Sequence, residues 1–220
     1  MIAISGKELQ SLTAALRTLP ERAALYAKVL NDTFANAEIS SNTRLCQFIG
    51  QSATETGGFR SLVESTNYTN PELLVKLFRN VQGIAHAKRL VAAGKEEIGN
   101  TIYAGKNGNG DAASGDGYRF RGRGFLQITG RANYSAIGVL LKQPLDDQPD
   151  LLGEPELAAQ AAAVYWTTRK INTPADVGDI VMVTRLVNGA GLAGLDDRKA
   201  WHERATTVWP NDDKSDDGVK

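Results

Sequence analysis

The sequence predicts a mainly helical protein whose run of helices is broken once by a long glycine-rich loop, and two observations predict it. Apolar residues recur at three- and four-residue intervals through most of the chain, usually behind a hydroxyl, asparagine or proline suited to the first turn of a helix. By contrast, seven of the 22 glycines fall within residues 105–124. Loops of that length inside compact domains are uncommon and often functional, so a cleft between helical layers and this loop is expected.

The elements follow in order. Ser5-Gly-Lys-Glu8 is a capping box, and Leu9, Leu12, Leu16 and Leu19 continue from it on one helical face. Pro20 opens a second helix carrying Leu25, Val29, Leu30 and Phe34. Behind Ser40 and Ser41, a third places Leu45, Phe48, Ile49 and Ser52 on one face, and Gly57 and Gly58 stop it. Asn70-Pro71 opens a fourth, with Leu73, Leu74, Leu77 and Phe78, and a weaker one runs from Ile84 to Ala93. After the loop, helices are expected over 155–170 (Leu157, Ala161, Val164, Tyr165), 174–188 (Val177, Ile180, Val181, Thr184) and 196–209. Short extended pieces are expected around 61–64 and 118–128. Residues 1–210 read as one domain with a cleft loop at about 104–124. The last ten residues, NDDKSDDGVK, are acidic without apolar anchors and read as a flexible tail over 211–220.

Composition removes several functions. Lys plus Arg equals Asp plus Glu at 25 each, so no overall field recruits nucleic acid. No apolar stretch approaches the ~18 residues of a spanning helix, so no membrane insertion is expected. The first residues lack a basic segment followed by a long apolar run, and the single cysteine, Cys46, leaves no internal disulfide. Synthesis in a reducing cytoplasm without a signal peptide fits both facts.

Several chemistries are also set aside. Gly50-Gln-Ser-Ala-Thr54 fails the serine-hydrolase elbow at its last position. His86 and His202, the only histidines, read as solvated, form no zinc motif and sit on helices among polar residues. Asn107, Asn109 and Asp111 hint at a calcium loop but lack its glycine and its final acid, since the twelfth position is Tyr118. Cys46 follows Leu45 in a helical run and reads as a buried, inert thiol. No metal or other cofactor is expected.

Two carboxylates remain. Glu55 lies seven residues after Phe48 and three after Ser52, which continues the apolar face of its helix. Burial there disfavours the charged form, as suits a group that must hold a proton and give it away. Glu64 comes nine residues later within Glu64-Ser-Thr-Asn-Tyr68, where hydroxyls and an amide suit an ionised, hydrogen-bonded carboxylate. Such unlike surroundings separate two acidities, as glycoside hydrolysis needs for one acid and one base. Arg119, Arg121 and Arg123 alternate with smaller or apolar residues, which on an extended strand would put three guanidiniums on one side, near a carboxylate they could hold ionised.

The motifs QSATETGGF, ESTNYT, the run Arg121–Tyr134 (RGRGFLQITGRANY) and Val187-Asn-Gly189, in this order, resemble glycoside hydrolase family 19, which includes class I-type chitinases and related bacteriophage lysins. The resemblance spans roughly residues 39–204, and the nine-residue spacing of the glutamates is similar to the compact members. It implies a mostly helical, lysozyme-like fold with a cleft between two lobes. It further implies Glu55 as general acid, Glu64 as general base and Thr129 as the hydroxyl that positions the attacking water. Gln127, Asn133 and Asn188 match residues lining the sugar site, and Tyr68 and Arg121 join them as candidate substrate contacts. The family often has histidine before its acid; here that position is Thr54. Gln127, Thr129 and Asn133 also have a purely structural reading, as residues that satisfy backbone groups in a turn, and Asn188-Gly189 as a helix stop.

The expected function is that of an inverting endolysin, a monomer that cuts β-1,4 bonds in the glycan strand of bacterial peptidoglycan for host lysis. It would be made in the host cytoplasm and act on the wall after release. A chitinase with the same machinery is the alternative. A non-catalytic wall-binding module is a third reading, but it would not need both glutamates.

Overall fold

The structure, a computed structural model, describes residues 2–210; the expected acidic tail, 211–220, lies outside the described residues. The described chain is mainly helical, as expected, and divides into two compact units. One comprises the described residues up to Ser61 together with those from Ala159 onward; the other is Leu62–Ala158.

The first unit holds α1 (Gly6–Leu12), α2 (Ala14–Arg17), α3 (Pro20–Phe34), α4 (Asn42–Glu55) and, later in the chain, α11 (Asn172–Asp176), α12 (Ile180–Asn188) and α13 (Leu195–Val208). The capping box forms as read, with Ser5 and Glu8 each accepting the other's backbone N–H. The single helix expected from Leu9 to Leu19 is in fact two. Thr13 takes an extended conformation, caps Ala15 through its hydroxyl oxygen and donates to the Gly58 carbonyl at 2.9 Å, which ends α1. Similarly, Gly178 at φ +69° separates α11 from α12, where one helix over 174–188 was expected. Helix α4 is the centre of the unit and packs most closely against α13, where Gly50 leaves room for the backbone of His202. His202 is therefore partly buried rather than solvated, and burial pushes its imidazole below its usual value. Phe48 meets Phe34 and Trp166 edge-on at 6.1 and 5.2 Å, and the Trp166 indole donates to Asn172 at 2.7 Å. Cys46 is buried as read, with its thiol pushed up to about 12 by desolvation.

The second unit holds α5 (Pro71–Leu77), α6 (Gly83–Ala93), α7 (Lys95–Ile102), α8 (Asp116–Arg119) and α9 (Arg131–Leu141). Helix α10 (Pro155–Thr168) contains the boundary at Ala158. Leu74, Val81, Ala87, Leu90, Ile98 and Ile102 form a core under α5–α7. Neither α7 nor α9 is announced by its sequence: α7 offers only Ile98 and Ile102, four apart among charged residues and a glycine, and α9 begins inside the motif-rich run. The glycine-rich segment is not one loop. It contains a 3-10 turn at Ala112–Ser114 and α8, and Gly117 packs so closely on α7 that a Cβ there would lie 2.4 Å from the Gly99 carbonyl. The expected extended pieces reduce to isolated bridges joining Val63 to Arg123 and Arg123 to Ile128. Among the described residues no helix is long and apolar enough to cross a membrane.

Candidate active site

In the second unit three of the predicted residues, Glu64, Gln127 and Thr129, converge on Gly122. The Glu64 backbone N–H donates to the Gly122 carbonyl at 2.9 Å, and the Gly122 N–H returns a bond to Glu64 Oε2 at 3.0 Å. The other carboxylate oxygen accepts from the Tyr103 hydroxyl at 2.6 Å. Each oxygen thus has one donor, which fixes the orientation of the carboxyl group. Glu64 is hydrogen-bonded as expected, but its donors come from Tyr103 and Gly122, not from the neighbouring Ser65, Thr66 and Asn67. Thr66 instead donates to the Lys95 carbonyl, and Ser65 accepts from Asn67. Tyr68 meets Phe78 edge-on at 5.4 Å; burial raises its phenol, and the Glu64 charge raises it further, so it remains a neutral hydroxyl.

A Cβ built on Gly122 would lie 2.7 Å from Gln127 Oε1 and 3.3 Å from both Glu64 Oε2 and Thr129 Oγ1. These three oxygens therefore ring one small space that only the absence of a side chain keeps open. The Thr129 hydroxyl donates to the Gln127 carbonyl at 2.9 Å, so its proton is committed and its lone pairs remain acceptors. Gln127 sits at φ +44° and spends its amide N–H groups on the Leu62 and Gly124 carbonyls. Asn133 donates to the Thr129 carbonyl at 2.7 Å. The amide groups of Gln127 and Asn133 thus fill the structural role their residue types allow, and by doing so they fix Thr129. At Gly130, φ is +93° and a Cβ would strike Asn107 at 2.3 Å, so α9 begins against the glycine-rich segment only because this residue is glycine.

The arginine reading needs correction. Arg119 ends a helix, so no strand aligns the three guanidiniums. Arg119 donates to the Asp146 and Asp147 carbonyls; Arg121 lies 4.2 Å over the Tyr118 ring and donates to the Tyr118 carbonyl. Arg123 is fully buried and pairs with Asp150, which Arg121 approaches to 4.0 Å. Of the three, Arg121 and Arg123 share a carboxylate, that of Asp150.

In the first unit, Glu55 is the last residue of α4, and the chain then turns through Gly57 and Gly58 at positive φ, as the sequence suggested. Its surroundings are not the purely apolar ones expected. Arg198 of α13, only 3% exposed, places Nη2 2.6 Å from Glu55 Oε1, with the Glu55 side chain 15% exposed. Arg198 also donates to Gln51 Oε1, and Gln51 in turn donates to Thr184 Oγ1 at 3.2 Å, tying α4, α13 and α12 together. Asn188 and Arg198 both donate to the Ala193 carbonyl, at 3.1 and 3.3 Å, so Asn188 joins this network through one shared acceptor. Burial raises the Tyr165 phenol; Arg169 opposes this, and the Glu55 charge adds to it. Thr54 bonds back to the Gly50 carbonyl.

Sequence reasoning missed Tyr103, Gly122, Gln51 and Arg198. Gln51 precedes Glu55 by one helical turn and was readable from spacing; Gly122 was visible only as one of many glycines. Tyr103 and Arg198 act across long sequence separations and left no local signal.

No family model matches the chain. A relative from Haemophilus influenzae, described as a glycosyl hydrolase family 19 domain-containing protein, is 36% identical over 165 residues, which is 75% of this chain and 79% of the relative. Among solved structures, chitinase C from Streptomyces griseus HUT6037 matches with a TM-score of 0.57 at 18% identity, over 93% of this chain and 76% of that one. A mutant of chitinase C matches equally well, over 91% of its length. These structures establish the mainly helical, lysozyme-like fold. The bacterial relative, together with the ordered motifs around Glu55, Glu64 and Thr129, places the chain in glycoside hydrolase family 19, and it is a glycoside hydrolase.

Proposed function

We propose that this hydrolase is an endolysin that cuts β-1,4 bonds in the glycan strand of peptidoglycan, with inversion at the anomeric carbon. Glu55 serves as general acid, protonating the departing glycosidic oxygen. Arg198 faces the carboxylate that this proton leaves behind. Glu64 serves as general base. A water that donates one hydrogen to Thr129 Oγ1 and the other to Glu64 keeps a lone pair for the anomeric carbon, and Glu64 takes its proton as the bond forms. Tyr68, Arg121, Gln127, Asn133 and Asn188 complete the sugar contacts, and no cofactor enters.

The observation that carries this reading is the ring of Glu64, Gln127 and Thr129 oxygens around Gly122, with the Thr129 proton already committed. The single cysteine, which is buried, and the compact spacing of the glutamates support a lysin made in a bacterial cytoplasm and acting on the wall during phage lysis. Chitin oligomers offer the same linkage, so the test compares substrates. The protein is incubated separately with Gram-negative sacculi and with chitin oligomers, and products are followed by mass spectrometry and end-group assays. New reducing ends without new free amines from sacculi are expected. Faster release from chitin would make it a chitinase, and new amines would remove the glycosidase assignment on this substrate.

A further inference from the structure

The second unit carries an open groove of about 750 Å³, within the usual range for ligand sites of roughly 300–1,000 Å³. Arg79, Asn80, Gln82, His86, Glu97 and Asp111 are among the residues lining it. The groove is coupled to the base. Asn80 donates to the carbonyls of Thr101 and Ala104 at 3.0 and 3.3 Å, and Asn109, buried on the same wall, donates to the Tyr103 carbonyl at 3.1 Å. One side of the segment 101–104 is thus a groove wall, while Tyr103 in its middle holds Glu64.

The charges of the lining are of both signs. Arg79 supplies a guanidinium, and Glu97 and Asp111 supply carboxylates. Neither the Arg79 nor the Glu97 charged end has an ion-pair or hydrogen-bond partner among the described residues. His86, partly buried, accepts from the Gln82 N–H through Nδ1 at 3.0 Å, which leaves Nε2 to carry the proton and donate. A neutral N-acetylated sugar chain presents nothing that needs this pattern. A ligand with a free amine and free carboxylates does.

Building on the endolysin reading, we propose that this groove binds the stem peptide attached to the glycan strand, with Glu97 and Asp111 taking its amine and Arg79 a carboxylate. The groove would then be the feature that prefers peptide-bearing glycan over bare glycan or chitin. Each such exposed charge contact is worth only a few-fold, so the expected preference is modest and depends on several contacts together.

The test uses the full chain and three substrates: intact Gram-negative sacculi, glycan strands stripped of peptide by an amidase, and chitin oligomers. Stripping is expected to lower kcat/KM by about threefold or more. The double variant Arg79→Ala, Glu97→Gln is expected to lose that preference while cleaving stripped strands at the wild-type rate; both side chains are exposed, so folding is not at stake. Chemical-shift changes on titrating the free tetrapeptide into wild type, but not into the variant, would support the assignment directly. Equal rates on intact and stripped strands, or an unchanged preference in the variant, would overturn the groove assignment and leave the endolysin reading standing. Cleavage of chitin with neither wall substrate cut would overturn both.

Discussion

The Tyr103 hydroxyl donates to Glu64 Oε1 at 2.6 Å while the Gly122 N–H occupies Oε2, so the proposed base is held by one bond on each oxygen. Hydrogen bonds to charged groups contribute about 1.5–3 kcal/mol. Tyr103→Phe keeps the ring and removes one of them. Turnover is expected to fall about 10- to 100-fold with KM nearly unchanged, because the lost bond orients Glu64 and does not touch the sugar. A rise in KM with kcat intact would assign Tyr103 to substrate binding instead.

Gly122→Ala tests the space itself. The φ of Gly122 is not among the positive values, so alanine has no backbone objection there. Its methyl would nevertheless meet Gln127 Oε1 at 2.7 Å and crowd Glu64 and Thr129. We expect a stability loss of about 1–3 kcal/mol by urea denaturation, and a rate loss of up to about 10²-fold from displaced groups. Full activity in this variant would show that the ring of oxygens is not where water is activated.

Arg198→Ala leaves the Glu55 carboxylate nearly buried without its guanidinium and removes the donor to Gln51. Breaking a buried pair from one side costs about 3–5 kcal/mol. A loss of that order in urea denaturation is expected, with partial recovery when Glu55→Gln is added. A change below about 1 kcal/mol would mean that the ion pair is largely solvent-screened.

Much of the fold was legible because caps and periodicity are local. Ser5, Ser41, Asn70 and Pro71 each mark a helix start that the structure bears out. What was not legible depends on contacts between distant segments. Thr13 breaks a smooth leucine pattern by reaching Gly58, and α7 is held by burying Ile98 and Ile102 against its neighbours, an apolar face too small to read as a helix from sequence alone. In the site, Glu64 was visible but its donors were not, since Tyr103 and Gly122 lie 39 and 58 residues away. Glu55 was read as desolvated from its helix face; the cation beside it comes from 143 residues downstream.

Acid should weaken the second unit through Asp116. Its carboxyl is held below its ordinary 3.8, first by the hydrogen bonds from Arg131, against the opposing effect of burial, and then by the Gly110 N–H. With the folded value lower than the unfolded one, this contribution is complete above about pH 4 and is lost as pH falls through the folded value. Urea midpoints of wild type and Asp116→Asn should therefore differ by a constant amount near neutrality and converge on acidification below about pH 4. A difference that widens in acid would contradict the ion pair.

Thr129→Val separates the base role of Glu64 from a nucleophilic one. The Thr129 proton goes to the Gln127 carbonyl at 2.9 Å, so its oxygen can only accept from a water beside Glu64. Valine keeps the shape and removes the acceptor, and hydrolysis should slow by about tenfold, the worth of one well-placed hydrogen bond. If Glu64 acts on that water, a single displacement delivers it to the face opposite the leaving group, and a β-linkage gives an α-anomer first. Were Glu64 a nucleophile, two displacements would restore β. The residual activity of Thr129→Val should still invert, because losing a water contact slows the base-catalysed route without opening a covalent one. NMR of the anomeric protons in the first minutes, before mutarotation, decides between them, and an initial β product from either protein would refute the base role of Glu64 and the water-holding role of Thr129 together.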